Sequence, residues 1–318
     1  MRRIAVALVA AVTVFAAAAC SSTGDKAGDA AALTKVTLGV IPIVDVAPAY
    51  LGKQKGFFSS RGIDLILAPE QSGPAIIKAV LDGSDEFGFS NVTSLMAADV
   101  NGTPLKAISS GSASNGRAGR DVSAIVVPDG SPIRSAAQLS GKKVAVNALK
   151  SLGDTTIRQS IRKAGGDARN VEFVAMPFSS MPGALQAHQV DAAWVVEPQL
   201  TESITLGAQV LTSNFVDTAP NLTVAMYFTG TATIAKDPGL VNRFTSAINE
   251  SLQYAAAHPE EVRTVVGTYT QISDSVRTSM ILPTWPSDIN RPSLERLATL
   301  GREDGIFAGP PELDKLLP

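Results

Sequence analysis

Five stretches of the chain carry polar groups whose types and spacing suit the capture of a small molecule, and they hold little that would transform one. Ser90, Asn91 and Thr93 stand where an apolar strand gives way to a helix, so their hydrogen-bonding groups would lie beside free backbone N–H groups. That chemistry suits a small anion or a polar oxygen, alongside the ordinary N-capping that one of the three must supply. Lys150, Ser151, Gly153 and Thr155 repeat the pattern later in the chain, with a lysine able to neutralise an anion. Val44 and Asp45 follow the first strand, and Glu197 stands before Pro198 at the end of another. A carboxylate at Glu197, if it faces a cleft, would repel a bare anion and accept bonds from an amino group or ring N–H. Tyr227, and with it Trp194 and Trp285, could stack on a ring, though each also suits core or hinge packing. The two histidines, His188 and His258, fall outside these loops, and no Cys, His and carboxylate grouping has metal-ligand spacing. No Walker or dinucleotide glycine motif follows a strand. A binding protein with no cofactor and no metal is expected, not an enzyme.

The elements that must position these groups alternate between strand and helix, as in parallel sheets covered by helices, where ligands sit beyond the carboxyl ends of the strands. Strands are expected at 36–41, 63–67, 87–89 and 105–108, with helices over 48–55, 74–81 and 91–100. The small, polar run 109–116 reads as a flexible passage between lobes, followed by a strand over 122–127. A second series places strands at 143–147, 171–175, 191–196 and 209–211, with helices over 154–163 and 183–188. The run 223–235 reads as one long returning strand, and helices over 238–257, 259–268, 273–281 and 292–301 close the chain. The halves also echo each other: residues 79–89 can be laid over 184–194, each a helix end, a polar turn, an acid and a strand with an aromatic.

The order and spacing of several segments resemble the solute-binding proteins of ABC importers in the nitrate, sulfonate and taurine, and thiamine-precursor group. The landmarks are Val36-Thr37-Leu38-Gly39-Val40, Ala49-Tyr50-Leu51-Gly52-Lys53-Gln54-Lys55-Gly56-Phe57-Phe58, Arg61-Gly62-Ile63-Asp64-Leu65 and Gly102-Thr103-Pro104-Leu105-Lys106. Ser135 to Val146, Val190-Asp191-Ala192-Ala193-Trp194 and Glu197-Pro198 complete the set. Glu86 stands where aspartate is usual, and His188 where glycine is common. The resemblance implies an α/β, two-lobed periplasmic-binding-protein-like fold of type II with two hinge-strand crossings, lobe 1 being 35–122 with 229–318 and lobe 2 being 123–228. It implies further that the cleft captures a small organic nitrogen- or sulfur-containing solute, a sulfonate, taurine, nitrate or a pyrimidine-like compound, for an ABC permease with its ATPase. A ligand touching both lobes favours the closed form by its extra contacts there. A ligand-sensing receptor of the same fold is the alternative, as is an enzyme like the thiamine-pyrimidine synthases, which would need a histidine and cysteine supply this chain lacks.

The N-terminus adds a location. Arg2-Arg3, the apolar run 4–19 and Cys20 follow the order of a secretion signal, and the run is too short to span a membrane. Ala17-Ala18-Ala19-Cys20 resembles the lipobox of bacterial lipoproteins, with alanine at position 17 where leucine is usual. Cys20 is the only cysteine, so acylation there is the expected use. Residues 1–19 read as a signal peptide and 20–34 as a lipidated flexible tether, holding a monomer at the outer face of the cytoplasmic membrane. With 27 Lys and Arg against 29 Asp and Glu the chain is mildly acidic, which gives no footprint for nucleic acid.

Overall fold

Ten strands form in the described part of the chain: β1 (Thr34–Val40), β2 (Ile63–Pro69), β3 (Phe87–Asn91), β4 (Leu105–Ser110), β5 (Ser123–Val127), β6 (Lys143–Val146), β7 (Glu172–Ala175), β8 (Ala192–Val196), β9 (Gln209–Thr212) and β10 (Ala225–Gly230). The computed structural model describes residues 32–318. The export run, Cys20 and all of the tether but its last three residues lie outside them. No described helix is long and apolar enough to cross a membrane.

The strands pair into two five-stranded sheets of one plan, ordered β2-β1-β3-β10-β4 and β7-β6-β8-β5-β9. In each, the first three strands are parallel and the fourth runs antiparallel to both its neighbours. That fourth strand, β10 or β5, is the one that has just crossed from the other sheet. The chain therefore crosses twice, after β4 and before β10. The echo between residues 79–89 and 184–194 has a structural counterpart, because β3 and β8 hold equivalent places and each follows a short helix, Gly73–Asp82 or Met181–Gln186.

Buried apolar side chains from both sheets join in one continuous core. Val36, Leu38 and Val40 of β1 are fully buried, and Phe87 of β3 stacks on Phe244 of the long helix Pro238–Ala257 at 3.8 Å between ring centroids. Burial of each such side chain stabilises the fold by about 2 kcal/mol. In the second sheet Trp194 of β8 meets Phe178 and Phe215 edge-on, at 5.2 and 6.1 Å.

Two sequence expectations are corrected. The run 109–116 is no flexible passage: Ser109 and Ser110 end β4, Ser112, Ala113 and Ser114 are buried, and Ala113 bridges both Thr223 and Thr284. Its small residues permit close packing of backbone on backbone, since a Cβ at Gly111 would lie 2.5 Å from the carbonyl oxygen of Ala225. The run 223–235 is not one strand either. It is β10 followed by the helix Thr231–Lys236, with Gly230 in extended conformation as its N-cap. Threonine, alanine and isoleucine after Gly230 are apolar enough for either structure, and periodicity over six residues does not decide between them.

Candidate functional site

The carboxyl ends of the two sheets face each other, and the helices that follow their strands meet there. Asn91 caps the helix Val92–Val100, its Oδ1 accepting from the Ser94 amide at 2.9 Å. Ser151 is the N-cap of the helix Leu152–Lys163. Across the cleft the Ser94 and Ser151 hydroxyls are 2.9 Å apart, and Ser151 also donates to Asn91 Oδ1 at 3.3 Å. Gly153, in the first turn of the helix Leu152–Lys163, lets it pack closely on β8, because a Cβ there would lie 2.4 Å from Cε3 of Trp194.

Between the sheets lies a cavity of about 30 Å³. Ile41, Ile43 and Asp45 follow β1 along its wall, Phe89 and Asn91 come from β3, and Val224 and Ala225 from the return crossing. The second sheet gives Asn147, Leu152, Phe178, Trp194, Val196 and Phe215. Ile41, Ile43 and Phe178 separate this cavity from a groove of about 190 Å³, beside which lies another of about 490 Å³ lined by Pro42, Ser179, Gln199, Glu202 and Tyr269 to Ile272.

Two lining side chains hold buried acceptor atoms that meet no donor, Asp45 Oδ2 and Asn147 Oδ1. Asp45 is 2% exposed. Its Oδ1 accepts from the Ser112 hydroxyl, and the Trp285 indole donates to its backbone carbonyl at 3.0 Å. Burial pushes the Asp45 carboxyl up to about 6, against the lowering effect of the Ser112 hydrogen bond.

Of the residues expected from sequence, Asp45, Asn91 and Trp194 line the cavity. Val44 is buried beside it, its amide donating to the Glu197 carbonyl at 3.0 Å. Ser90 and Thr93 are fully buried with unpartnered hydroxyls and do not line the cavity; the Ser90 hydroxyl faces Gly73, where a Cβ would lie 2.3 Å from it. Thr155 turns its hydroxyl back to the Ser151 carbonyl. Lys150 is exposed, in left-handed conformation with φ 51°, and its amide donates to Asp154 Oδ2. The Glu197 carboxylate accepts from the Thr201 amide and hydroxyl and from the Ile281 amide, at 3.1, 2.8 and 3.0 Å. The Thr201 donors lie in the helix Gln199–Thr205 that follows β8, and the Ile281 donor ties β8 to the segment after the helix Asp274–Ser279; burial raises the group to about 7. Tyr227 is fully buried, 5.1 Å from the Phe89 ring between centroids, with its hydroxyl unpartnered. Burial and then the charge of Asp45 drive its pKa upward.

Sequence reasoning passed over Asn147, Phe178, Phe215 and Ser112. Asn147 carried a usable signal, being the polar residue that follows the buried apolar run 144–146 at the carboxyl edge where ligands bind. Phe178 and Phe215 lie in short loops and helices whose placement depends on the assembled sheet.

A family model described as NMT1/THI5 like matches residues 43–262. A Brucella abortus (strain 2308) protein, named a candidate binding protein with no solute given, is 26% identical over 214 residues, 66% of this chain. The match spans 63% of that relative's length. The ligand-binding component of an ABC-type import system from Staphylococcus aureus, solved with zinc bound, superposes with a TM-score of 0.77 at 16% identity, over 90% of this chain and 96% of that one. The alkanesulfonate-binding protein SsuA from Xanthomonas axonopodis pv. citri, bound to MOPS, gives 0.74 at 16% identity over 90% and 99%. At these identities the likeness establishes the fold, a two-lobed periplasmic-binding fold, and the ligands remain those proteins' own. Among the described residues no group of three His, Cys, Asp or Glu could hold a metal ion.

Proposed function

The chain belongs to the NMT1/THI5-like family, and from that premise we propose that it is the extracytoplasmic solute-binding component of an ABC importer. In this reading the lobes follow the two sheets, so lobe 1 takes all of β10 and the return crossing falls before Ala225 instead of at the expected 228/229, and the two lobes close on a small organic solute and present it to a permease with its ATPase. The observation that carries the reading is the cavity walled by the carboxyl ends of both sheets, since a solute there touches both lobes and favours their closure. The cavity wall offers no nucleophile paired with a base, which supports capture over turnover. Lipidation of Cys20 would hold a monomer at the outer face of the cytoplasmic membrane, with the tether leaving the lobes free to move.

A thermal-shift screen of residues 21–318 against aminopyrimidines, other amines, taurine, alkanesulfonates and nitrate tests the reading. A solute bound only by the folded chain stabilises it by about 2.7 kcal/mol at a hundredfold excess over Kd. Silence across the panel counts against solute capture, and turnover of any member overturns it. The anchor is tested separately in the full chain: Cys20→Ser should leave export intact and release the protein from membranes.

A further inference from the structure

We infer that the cleft takes a small organic cation, a protonated amine or amidine on a flat apolar body, and rejects oxyanions. The inference rests on the solute-capture reading and deepens it. An oxyanion needs hydrogen-bond donors and a positive field; the two helix N-termini at Asn91 and Ser151 offer some of each, but the charged side chains are all acidic and the unpartnered side-chain atoms of the cavity wall are acceptors, which tips the balance toward a cation. Among all residues lining the cavity and its two neighbouring grooves, the charged ones are Asp45, Glu70 and Glu202, with no Lys, Arg or His.

Three observations converge. Asp45 is 2% exposed, lines the cavity, and holds Oδ2 without a donor while Oδ1 is satisfied by Ser112. A buried carboxylate oxygen left unpartnered costs free energy that an N–H donor would recover. Asn147, 8% exposed, supplies a second unpartnered oxygen from the other sheet, so one N–H-rich head group could reach both lobes at once. Around these acceptors stand the Phe178, Trp194 and Phe215 rings, which suit a flat apolar body and attract a cation through their faces. The two outer grooves continue the theme: Gln199, with its Oε1 unpartnered, lines both, Glu70 lines one and Glu202 the other. Entry requires the wall of Ile41, Ile43 and Phe178 to part, since the cavity of about 30 Å³ has room for only a water or two.

The test uses three probes with a common ring and different charge: benzamidine, benzyl alcohol and benzenesulfonate, titrated calorimetrically into the wild type and Asp45→Asn at pH 7.5. Benzamidine should bind the wild type at least tenfold more tightly than the alcohol, with no heat from the sulfonate. Asp45→Asn, with circular dichroism and melting temperature showing it folded, should weaken benzamidine at least thirtyfold. Should that variant fail to fold, the charge series on the wild type decides alone. Tighter binding of benzenesulfonate than of benzamidine, or an unchanged benzamidine Kd in Asp45→Asn, overturns the inference and leaves solute capture standing. Absence of binding by all three, together with silence across the wider panel, overturns both.

Discussion

Asp45 should weaken the solute-free protein at neutral pH, and Asp45→Asn should therefore stabilise it. The carboxyl rises from its ordinary 3.8 to about 6, chiefly through burial. At 1.36 kcal/mol per pKa unit, holding the ionised group in the fold costs about 3 kcal/mol above pH 6. That cost already includes the Ser112 hydrogen bond; asparagine removes the cost but buries an amide N–H group without an acceptor where the unpartnered Oδ2 stood, which returns about 1 kcal/mol. A net gain of about 2 kcal/mol follows, or roughly 4 °C in Tm for a chain of this size. The direction with pH follows from the proton count. Between 3.8 and about 6 the folded chain holds a proton that the unfolded chain has released, so stability falls as pH rises through that window and then levels. Asp85 and Asp154 are raised to about 6 and Glu197 to about 7, all by burial first, so the wild type shares this slope from several groups. The variant-minus-wild-type difference isolates Asp45. Urea unfolding should show it near zero at pH 4 and about 2 kcal/mol in favour of the variant at pH 8. A variant equal to or less stable than the wild type at pH 8 would refute the reasoning, because it would mean the Asp45 carboxylate already has a partner.

Other positions give independent checks. Gly153→Ala should lower Tm by the equivalent of about 1–3 kcal/mol and blue-shift or broaden Trp194 fluorescence, because the added Cβ would lie 2.4 Å from the indole. Arg162 and Asp304 form a two-pronged pair at 2.6 and 3.2 Å between the helix Leu152–Lys163 and the end of the helix Arg291–Glu303, with the Asp304 side chain only 4% exposed. Arg162→Ala should cost more than Asp304→Ala in urea unfolding, since it strands the more buried charge, and a double-mutant cycle should return a coupling of about 1 kcal/mol or more. Glu197→Ala should destabilise by about 2–3 kcal/mol by leaving the Ile281 and Thr201 amides without their acceptor, with little change in benzamidine Kd.

The fold was legible in the sequence because its signals are local. Apolar strands, glycine stops such as Gly83 and prolines at helix starts such as Pro238 repeat the βα grammar, and the helix expected over 238–257 forms with those bounds. The site was legible only in outline. The rule that ligands sit at the carboxyl ends of strands led to the loops holding Asp45, Asn91 and Ser151, but the direction of each side chain depends on partners far away in sequence. Glu197 meets Ile281, 84 residues on, and Ser112 meets Asp45, 67 residues back. No window along the chain contains those pairs. The run 109–116 shows the same limit in reverse: small polar residues mark loops, yet here they mark where two backbone segments pack closely.

That distinction bears on what the relatives can teach. The fold is shared at 16% identity. The charge of the wall is set by single side chains on the strand ends, which such identity does not preserve. An alkanesulfonate-binding relative and a cleft whose charged lining residues are all acidic are therefore compatible with one fold. The pH dependence of binding separates the two cases. An amidine stays protonated across the accessible range, so its affinity should rise with pH as Asp45 ionises near 6 and then level. The other titratable groups coupled to Asp45 are Asp121, raised by burial, and Tyr227 and Tyr269, also driven upward by burial. The tyrosines stay neutral through that window, and ionisation of Asp121 would add only to the negative field. A sulfonate held by the same wall should instead lose affinity over those pH values, and calorimetric titrations at pH 5 and pH 7.5 read the difference as opposite signs.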